Sequence, residues 1–481
     1  MTQETLYPLE QGRAKKGKEA YQKLYQEFLR RLPLVGDFEQ LLALAEVYLF
    51  AVPAQTGVYE SDISPFDHLR LVAGLTQILY RDYQGGILTQ EILERSLAAL
   101  RNGNEEKIPD KPLFLLLRCD LSGIQNFIFN VTARAARSVK ARSVYLELFM
   151  RYVVKYVLRE LRLFSTVIVY LGGGNAELLL PQNAEDVLQK VRKRVSDLLL
   201  HLHQGELYLS MEWVPLSLRG FFHFMEEREK LAQRIDLRKR GKFSELDEEV
   251  FFERFFVPRS EVVEEGKQCR NCSRKAEGQF EDPEDQLCPV CQSFIDFVDD
   301  LKREKMKYLV EEIPPLTRQP RKVQEMFEAL GYRIRFTDSS PFHGRIYRLE
   351  EVSLEQGNGG LCHGFILGSF HLPDKTFSEI ARAAQEEENG KRIGAVRLGY
   401  LKMDVDNLGA IFKELAEVGK ERATALSLYR AFSRYLELFF GGYLVHFIRQ
   451  KDPGNRFFYP VFVGGDDLFL VGSFPQMVEL A

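Results

Sequence analysis

"YPVFVGGDDLFLVG", Tyr459–Gly472, sets two glycines and then two aspartates between two apolar runs. The runs 459–463 and 468–471 are short and rich in β-branched or aromatic residues, the pattern of strands in a covered sheet. Gly464 and Gly465 form the turn, where glycine admits positive φ and lets another backbone approach closely. Asp466 and Asp467 then project from the hairpin into a defined place. One reading is an ordinary Asp-containing turn. The other starts from charge: adjacent carboxylates repel and raise one another's pKa unless a cation neutralises them, so a bound metal is the simplest explanation.

A metal there needs further oxygen ligands, and "RLGYLKMDVDNLGAIFK", Arg397–Lys413, supplies a candidate. Leu398–Met403 read as a strand, Asp404, Asp406 and Asn407 follow it, and a helical pattern starts at Leu408. A carboxylate at a strand end just ahead of a helix sits at a sheet edge where ligands are commonly held. Asp406 and Asn407 can equally serve as helix caps.

The same arrangement occurs earlier. "FLLLRCDLSGIQNFIF", Phe114–Phe129, puts Asp120 after an apolar strand, and "TVIVYLGGGNAELLLP", Thr166–Pro181, brackets Gly172, Gly173, Gly174 and Asn175 with strand-like runs. From Asp120 to Gly172 is 52 residues; from Asp404 to Gly464 is 60. The chain thus carries two copies of a strand, carboxylate, helix and glycine-hairpin unit. Aligning Gly172 with Gly464 places Gly174 and Asn175 where the second copy has Asp466 and Asp467. The first copy lacks the paired charges, so one unit can hold metal while the other holds only a substrate.

Cys269, Cys272, Cys288 and Cys291 read C-x2-C, fifteen residues, C-x2-C, the spacing of a tetrahedral zinc site. Four thiolates leave no open position, so the zinc is expected to be structural, ordering the acidic stretch "AEGQFEDPEDQL" that has little core of its own. Two disulfides are the alternative, disfavoured because no secretory signal is present. Cys119 and Cys362 lie in apolar surroundings and read as packed thiols.

The ordered set "DLSGIQNFIF", the four-cysteine element and "MDVDN…GGDD" resembles the large, Palm-containing subunit of type III CRISPR effector complexes, whose Palm domains are similar to those of nucleotidyl cyclases and polymerases. The match runs from about residue 62 to the end. The resemblance implies an α+β multidomain fold with two ferredoxin-like Palm domains, a helical N-terminal region and a zinc-binding helical insertion. It also implies synthesis of cyclic oligoadenylates from ATP when target RNA binds, these second messengers switching on separate antiviral nucleases. Carried over by residue, Asp404, Asp466 and Asp467 would hold two magnesium or manganese ions and catalyse attack of a 3′-hydroxyl on an α-phosphate. Gly464, Gly465, Asp120, Ser122, Gly172, Gly173 and Asn175 would bind nucleotide, the first Palm taking the acceptor ATP. In "TARAARSVKARSVYLEL", Arg134, Arg137 and Lys140 lie at steps of three on one helical flank, with Arg142 beyond, and near such a pocket Arg137 and Lys140 would pair triphosphate oxygens; a solvated helix face is the other reading. The implied partners are the other subunits of the complex, guide RNA and target RNA.

Whole-chain properties agree with an intracellular, cytoplasmic enzyme. The 481 residues are 45% hydrophobic and 28% charged, enough for several domains. No apolar run approaches the roughly 20 residues that span a bilayer, and the N-terminus does not read as a signal peptide. A net charge of −4 is not that of a free nucleic-acid binder, so RNA contact is expected to be local or shared. The basic stretch Arg228–Lys242 is one candidate, with a solvated helix as its alternative. The domains expected are residues 1–105 (helical), 106–215 (first Palm), 216–325 (helical, with the zinc element) and 326–481 (second Palm). Many relatives begin with an HD-type nuclease domain. The first 200 residues here hold a single histidine, His68, read as structural, so no HD nuclease activity is expected. The chain stops fourteen residues after Asp467, which reads as a short or truncated member. The alternative function is a catalytically silent assembly subunit of the same complex.

Overall fold

The computed structural model describes residues 17–52, 63–102, 104–256, 268–273, 286–302, 306–315, 319–339, 343–354, 356–357, 360–368, 370, 375–421 and 425–481. Most of "AEGQFEDPEDQL" falls outside them. Helices α1 Lys18–Arg31, α2 Phe38–Leu49, α3 Pro65–Gln84 and α4 Gln90–Arg101 come first. Side-chain oxygens of Asp37, Ser64 and Thr89 cap the last three, each accepting a bond from an N–H of the first turn.

The first Palm unit follows as β1 Pro112–Ser122, α5 Ile124–Phe129, α6 Ala135–Leu161, β2 Ile168–Gly172, β3 Asn175–Pro181, α7 Glu185–His203 and β4 Tyr208–Ser217. Its antiparallel sheet runs β2-β3-β1-β4, the ferredoxin-like order. The leucine run of β1 is buried on both faces, so alternation is absent and the strand is central. Helix α6 is buried along most of its 27 residues because it lies between this sheet, the zinc element and the second Palm.

Then come α8 Phe224–Arg240, α9 Glu248–Phe255 and α10 Pro289–Lys302. Next are β5 Tyr308–Glu312, α11 Val323–Ala329, β6 Arg333–Thr337, β7 Arg345–Leu349, the two-residue strands β8 Gln356–Gly357 and β9 Gly360–Leu361, and β10 Gly364–Ile366. These strands correct the expected boundaries: β10-β7-β5-β6 form a sheet of their own, where the sequence reading placed helical insertion up to 325 and second Palm from 326. Nor are α1 and α2 a separate helical domain, since Ala43, Leu44, Val47 and Tyr48 share one core with Tyr308, Ile346 and Leu361. The alternating apolar residues of "RIRFT" and "RIYRL" carry that sheet.

After α12 Phe377–Arg382 and the hairpin β11 Glu386–Glu388 and β12 Lys391–Ile393, the second Palm unit begins. It comprises β13 Leu398–Asp404, α13 Leu408–Glu421, α14 Ala425–Glu437, a π-helical turn, α15 Val445–Lys451, β14 Phe458–Gly464, β15 Asp467–Ser473 and α16 Phe474–Leu480. The sheet order β14-β15-β13 repeats β2-β3-β1. No helix among the described residues is long and apolar enough to cross a membrane.

Two buried acids on α3 behave oppositely. Asp67 is bonded through both oxygens to Arg434 of α14 at 2.8 and 2.6 Å, tying the N-terminal helices to the second Palm. His68, read as structural, is exposed; its neighbour Asp67 carries that role. Asp82 is fully buried and neither side-chain oxygen has a hydrogen-bond partner; burial pushes its carboxyl up to about 6. A raised folded-state pKa contributes stability below the unfolded value, and that contribution is lost as pH rises through about 6. Asp82→Asn is therefore expected to raise stability by about 1–2 kcal/mol at pH 8 and little at pH 4, read by urea unfolding at both pH values.

Candidate functional site

The two glycine hairpins meet tip to tip. Gly465 has φ +65°, and a Cβ placed there would lie 2.9 Å from the Gly173 nitrogen, 3.0 Å from its Cα and 3.1 Å from the Tyr170 hydroxyl. A Cβ on Gly172 would reach the Gly465 Cα at 3.1 Å. Glycine is required here both for the left-handed backbone and for contact of one main chain with another. Gly465→Ala is expected to cost about 1–3 kcal/mol and to separate the tips, measured as a lowered unfolding midpoint.

Register then makes the two units comparable residue by residue. In the second, Asp404 lies opposite Asp467, and Asp467 opposite Gly464. In the first, Asp120 lies opposite Asn175, and Asn175 opposite Gly172. Asp404 and Asp467 face each other across the β13–β15 ladder. Half-burial, with the charges of Asp466 and Asp404 added, pushes Asp467 up to about 6. Asp466 is raised too, by burial and by Asp404. Lys402, two residues before Asp404 and so on the same face of β13, pulls both down. The sequence reading passed over Lys402, although its period-2 spacing from Asp404 marked it.

The first unit has resolved its charge internally. The ammonium of Lys239 on α8 lies 2.9 Å from Asp120, and Arg118 lies 3.7 Å from it. Arg118 also donates to the Asn175 side chain at 3.3 Å. A carboxylate with its own lysine and a neutral amide opposite do not make a divalent-cation site. The three aspartates of the second unit are the residues that could hold one: they offer hard oxygen donors whose mutual repulsion a cation would relieve. Ser122 pairs with Tyr208 at the end of β1, next to Leu121, whose N–H donates to the Gly174 carbonyl of the first hairpin at 2.9 Å.

Among the basic residues of α6, Lys140 requires correction. Lys140 is fully buried, its ammonium donating to the Pro460 carbonyl at 2.8 Å, and burial pushes its pKa well below the usual lysine value. It cannot reach a triphosphate. Arg142 is buried over Phe127 and Phe294, Arg134 is the left-handed residue that starts the helix, and Arg137 lies 3.5 Å from Asp299. A helical period names a face but not what covers it. The basic stretch of α8 is likewise engaged: Arg228 binds Glu177, Arg234 the Trp213 carbonyl, and Arg238 Glu212.

The ligand atoms of Cys269, Cys272, Cys288 and Cys291 lie within 4.8 Å of one another. The Cys272 and Cys288 sulfurs are 3.6 Å apart, far beyond a disulfide and close to the roughly 3.8 Å between sulfurs around a tetrahedral zinc. The set fits a closed zinc site. Cys119 and Cys362 are buried and lie outside this cluster.

Comparison with known proteins places this geometry. Residues 113–256 match the family model for Csm1 subunit domain B, and residues 397–481 that for the Cas10/Cmr2 second palm domain. The single-strand-specific deoxyribonuclease Cas10/Csm1 (subtype III-A) of the CRISPR system of Methanocaldococcus jannaschii is 28% identical over 96% of this chain and 64% of its own length. The crystal structure of a Csm1–Csm4 cassette in complex with pppApA superposes with a TM-score of 0.69 at 23% identity, covering 96% of this chain and 57% of that one. The same cassette in complex with cA4 gives 0.69 at 22% identity, with the same coverage. At this identity the likeness to the cassettes is one of fold. The chain spans less than two thirds of the length of these relatives, so the deoxyribonuclease activity in the name of the first is a property of that relative. Two family models in order and a relative aligned along nearly the whole chain make it homologous to the Cas10/Csm1 large subunit of type III CRISPR complexes, with the Cas10 palm at its C-terminal end.

Proposed function

We propose that this chain is the nucleotide-polymerising large subunit of an RNA-guided type III complex, making cyclic oligoadenylates from ATP when target RNA binds. The observation that carries this reading is the inequality of two Palm units whose hairpins share one register and meet tip to tip. One presents Asp404, Asp466 and Asp467 with no bonded cation but Lys402 near by; the other presents Asp120 already paired to Lys239.

Asp404, Asp466 and Asp467 would hold magnesium or manganese, which when bound supplies Lewis acidity toward a hydroxyl nucleophile and phosphate oxygens. The chain's own residues position and neutralise. The buried strands β14 and β15 fix Asp466 and Asp467, and the glycine tips hold the two Palm units in main-chain contact. Helix α13 starts at Leu408, four residues beyond Asp404, so its N–H groups and the positive end of its dipole open beside the carboxylates, where phosphates bind readily. The complexes of the Csm1–Csm4 cassettes with pppApA and with cA4 agree with this chemistry. Zinc at the four cysteines would be structural. Csm4-type and other subunits, guide RNA and target RNA are the partners this reading assigns.

The test is incubation of the full chain, with partner subunits and matching target RNA, with ATP or GTP and Mg2+ or Mn2+, followed by mass spectrometry. Oligoadenylates from ATP support the reading. Absence of product from a folded chain in the assembled complex would favour the assembly subunit instead.

A further inference from the structure

The four-cysteine knuckle and the strand leading to Asp466 grip the same stretch, residues 132–142, from opposite sides. Asn271, between Cys269 and Cys272, is buried, and its side chain is fully engaged. Its Oδ1 accepts from the Thr132 and Ala133 N–H groups at 2.9 and 2.8 Å, and its Nδ2 donates to the Ala133 carbonyl at 3.2 Å and the Ser138 hydroxyl at 3.1 Å. Thr132 Oγ1 donates to the Arg270 carbonyl at 2.7 Å. One turn beyond Ser138, Arg142 Nη2 reaches the Cys291 sulfur at 3.8 Å. Ala133 packs into one small core with Cys269, Cys288 and Cys291.

On the other side the Tyr459 hydroxyl donates to the Ala136 carbonyl at 2.9 Å, and Lys140 donates to the Pro460 carbonyl at 2.8 Å. Positions 136 and 140 are one turn apart, as are 138 and 142, and the offset of two residues is about 200° around a helix. The first turns of α6 therefore stand between knuckle and β14 as a strut. From Pro460 to Gly464 β14 is mostly buried and pairs with β15, with one irregularity between Pro460 and Phe462, so residues 459 and 460 anchor the strand that leads to the tip.

We propose that the metal-loaded cysteine knuckle positions the hairpin carrying Asp466 and Asp467, acting through Asn271 and the first turns of α6. That this hairpin is catalytic rests on the reading above; the mechanical coupling does not. Asn271 is a positioning residue, touching neither substrate nor metal.

Hydrogen exchange of the full chain, without nucleotide, tests it. Asn271→Ala keeps all four cysteines, so zinc content by elemental analysis stays at the wild-type level, while exchange at 132–140 and 458–464 rises roughly tenfold. Removing zinc from wild type with a chelator gives the same pattern, and strand 208–217 of the first sheet keeps its protection. Tyr459→Phe, which cuts the link from the far side, leaves exchange at 132–134 unchanged and raises it at 458–464, even if Asn271→Ala does not fold. Unchanged exchange at 458–464 on zinc removal would overturn the proposal. Coupled exchange in a chain that makes no oligoadenylate would leave it standing and remove the nucleotide reading instead.

Discussion

Replacing Asp466 and Asp467 together by alanine is expected to cut oligoadenylate synthesis at least ~10³-fold while leaving the metal-free chain as stable as wild type or more so. The two effects have opposite signs for one reason. In the metal-free chain three carboxylates crowd one strand edge, and burial with mutual repulsion raises Asp466 and pushes Asp467 up to about 6. A raised folded-state pKa means stability is lost as pH rises through about 6, so the variant gains most relative to wild type above that value. The same repulsion is what a divalent cation relieves, and the variant leaves Asp404 as the one remaining aspartate of the three. A residue kept at the expense of stability is the signature of a functional site. Thermal unfolding at pH 5 and pH 8, with product analysis on the same samples, checks both halves. Loss of activity together with unfolding would mean the aspartates hold the hairpin rather than the metal.

Arg434→Met is expected to cost about 3–5 kcal/mol, the largest single-residue effect on stability, because it strands a buried carboxylate. Burial by itself would push Asp67 up; the paired bonds from Arg434, with the Ser64 hydroxyl, more than reverse this and hold it below the usual carboxylate range. A depressed folded-state pKa stabilises above the unfolded value, so the pair's contribution is present at neutral pH and lost as pH falls through the acid range. The guanidinium also lies 4.7 Å from the centroid of Phe50, which α2 delivers, so three elements loosen together. Asp67→Asn combined with Arg434→Met is expected to recover part of the loss, since no unpaired charge remains. Urea unfolding of the two single variants and the double variant gives the coupling directly.

The hairpins were legible in the sequence because strands, glycines and carboxylates leave local marks: period 2, paired glycines, charges at a turn. The repeat was legible for the same reason, and so was the cysteine spacing. What the sequence hid is what depends on distant partners. Lys239 neutralises Asp120 from another element, far along the chain, and no local pattern announces it. Lys140 has the spacing of a surface lysine but sits beneath β14, because α6 is covered on nearly every side. The sheet formed by β5, β6, β7 and β10 had readable alternation in "RIRFT" and "RIYRL", yet its helical neighbours and the nearby zinc element drew the boundaries elsewhere.

On the proposed reading the two Palm units are unequal, and the second alone holds the catalytic metal. Paramagnetic resonance of Mn2+ titrated into the full chain with ATP tests it most directly, using wild type, Asp120→Asn and the Asp466→Ala, Asp467→Ala double variant. The account predicts that wild type and Asp120→Asn bind Mn2+ alike and that the double variant loses that binding. Loss of Mn2+ in Asp120→Asn, or its retention in the double variant, would contradict it.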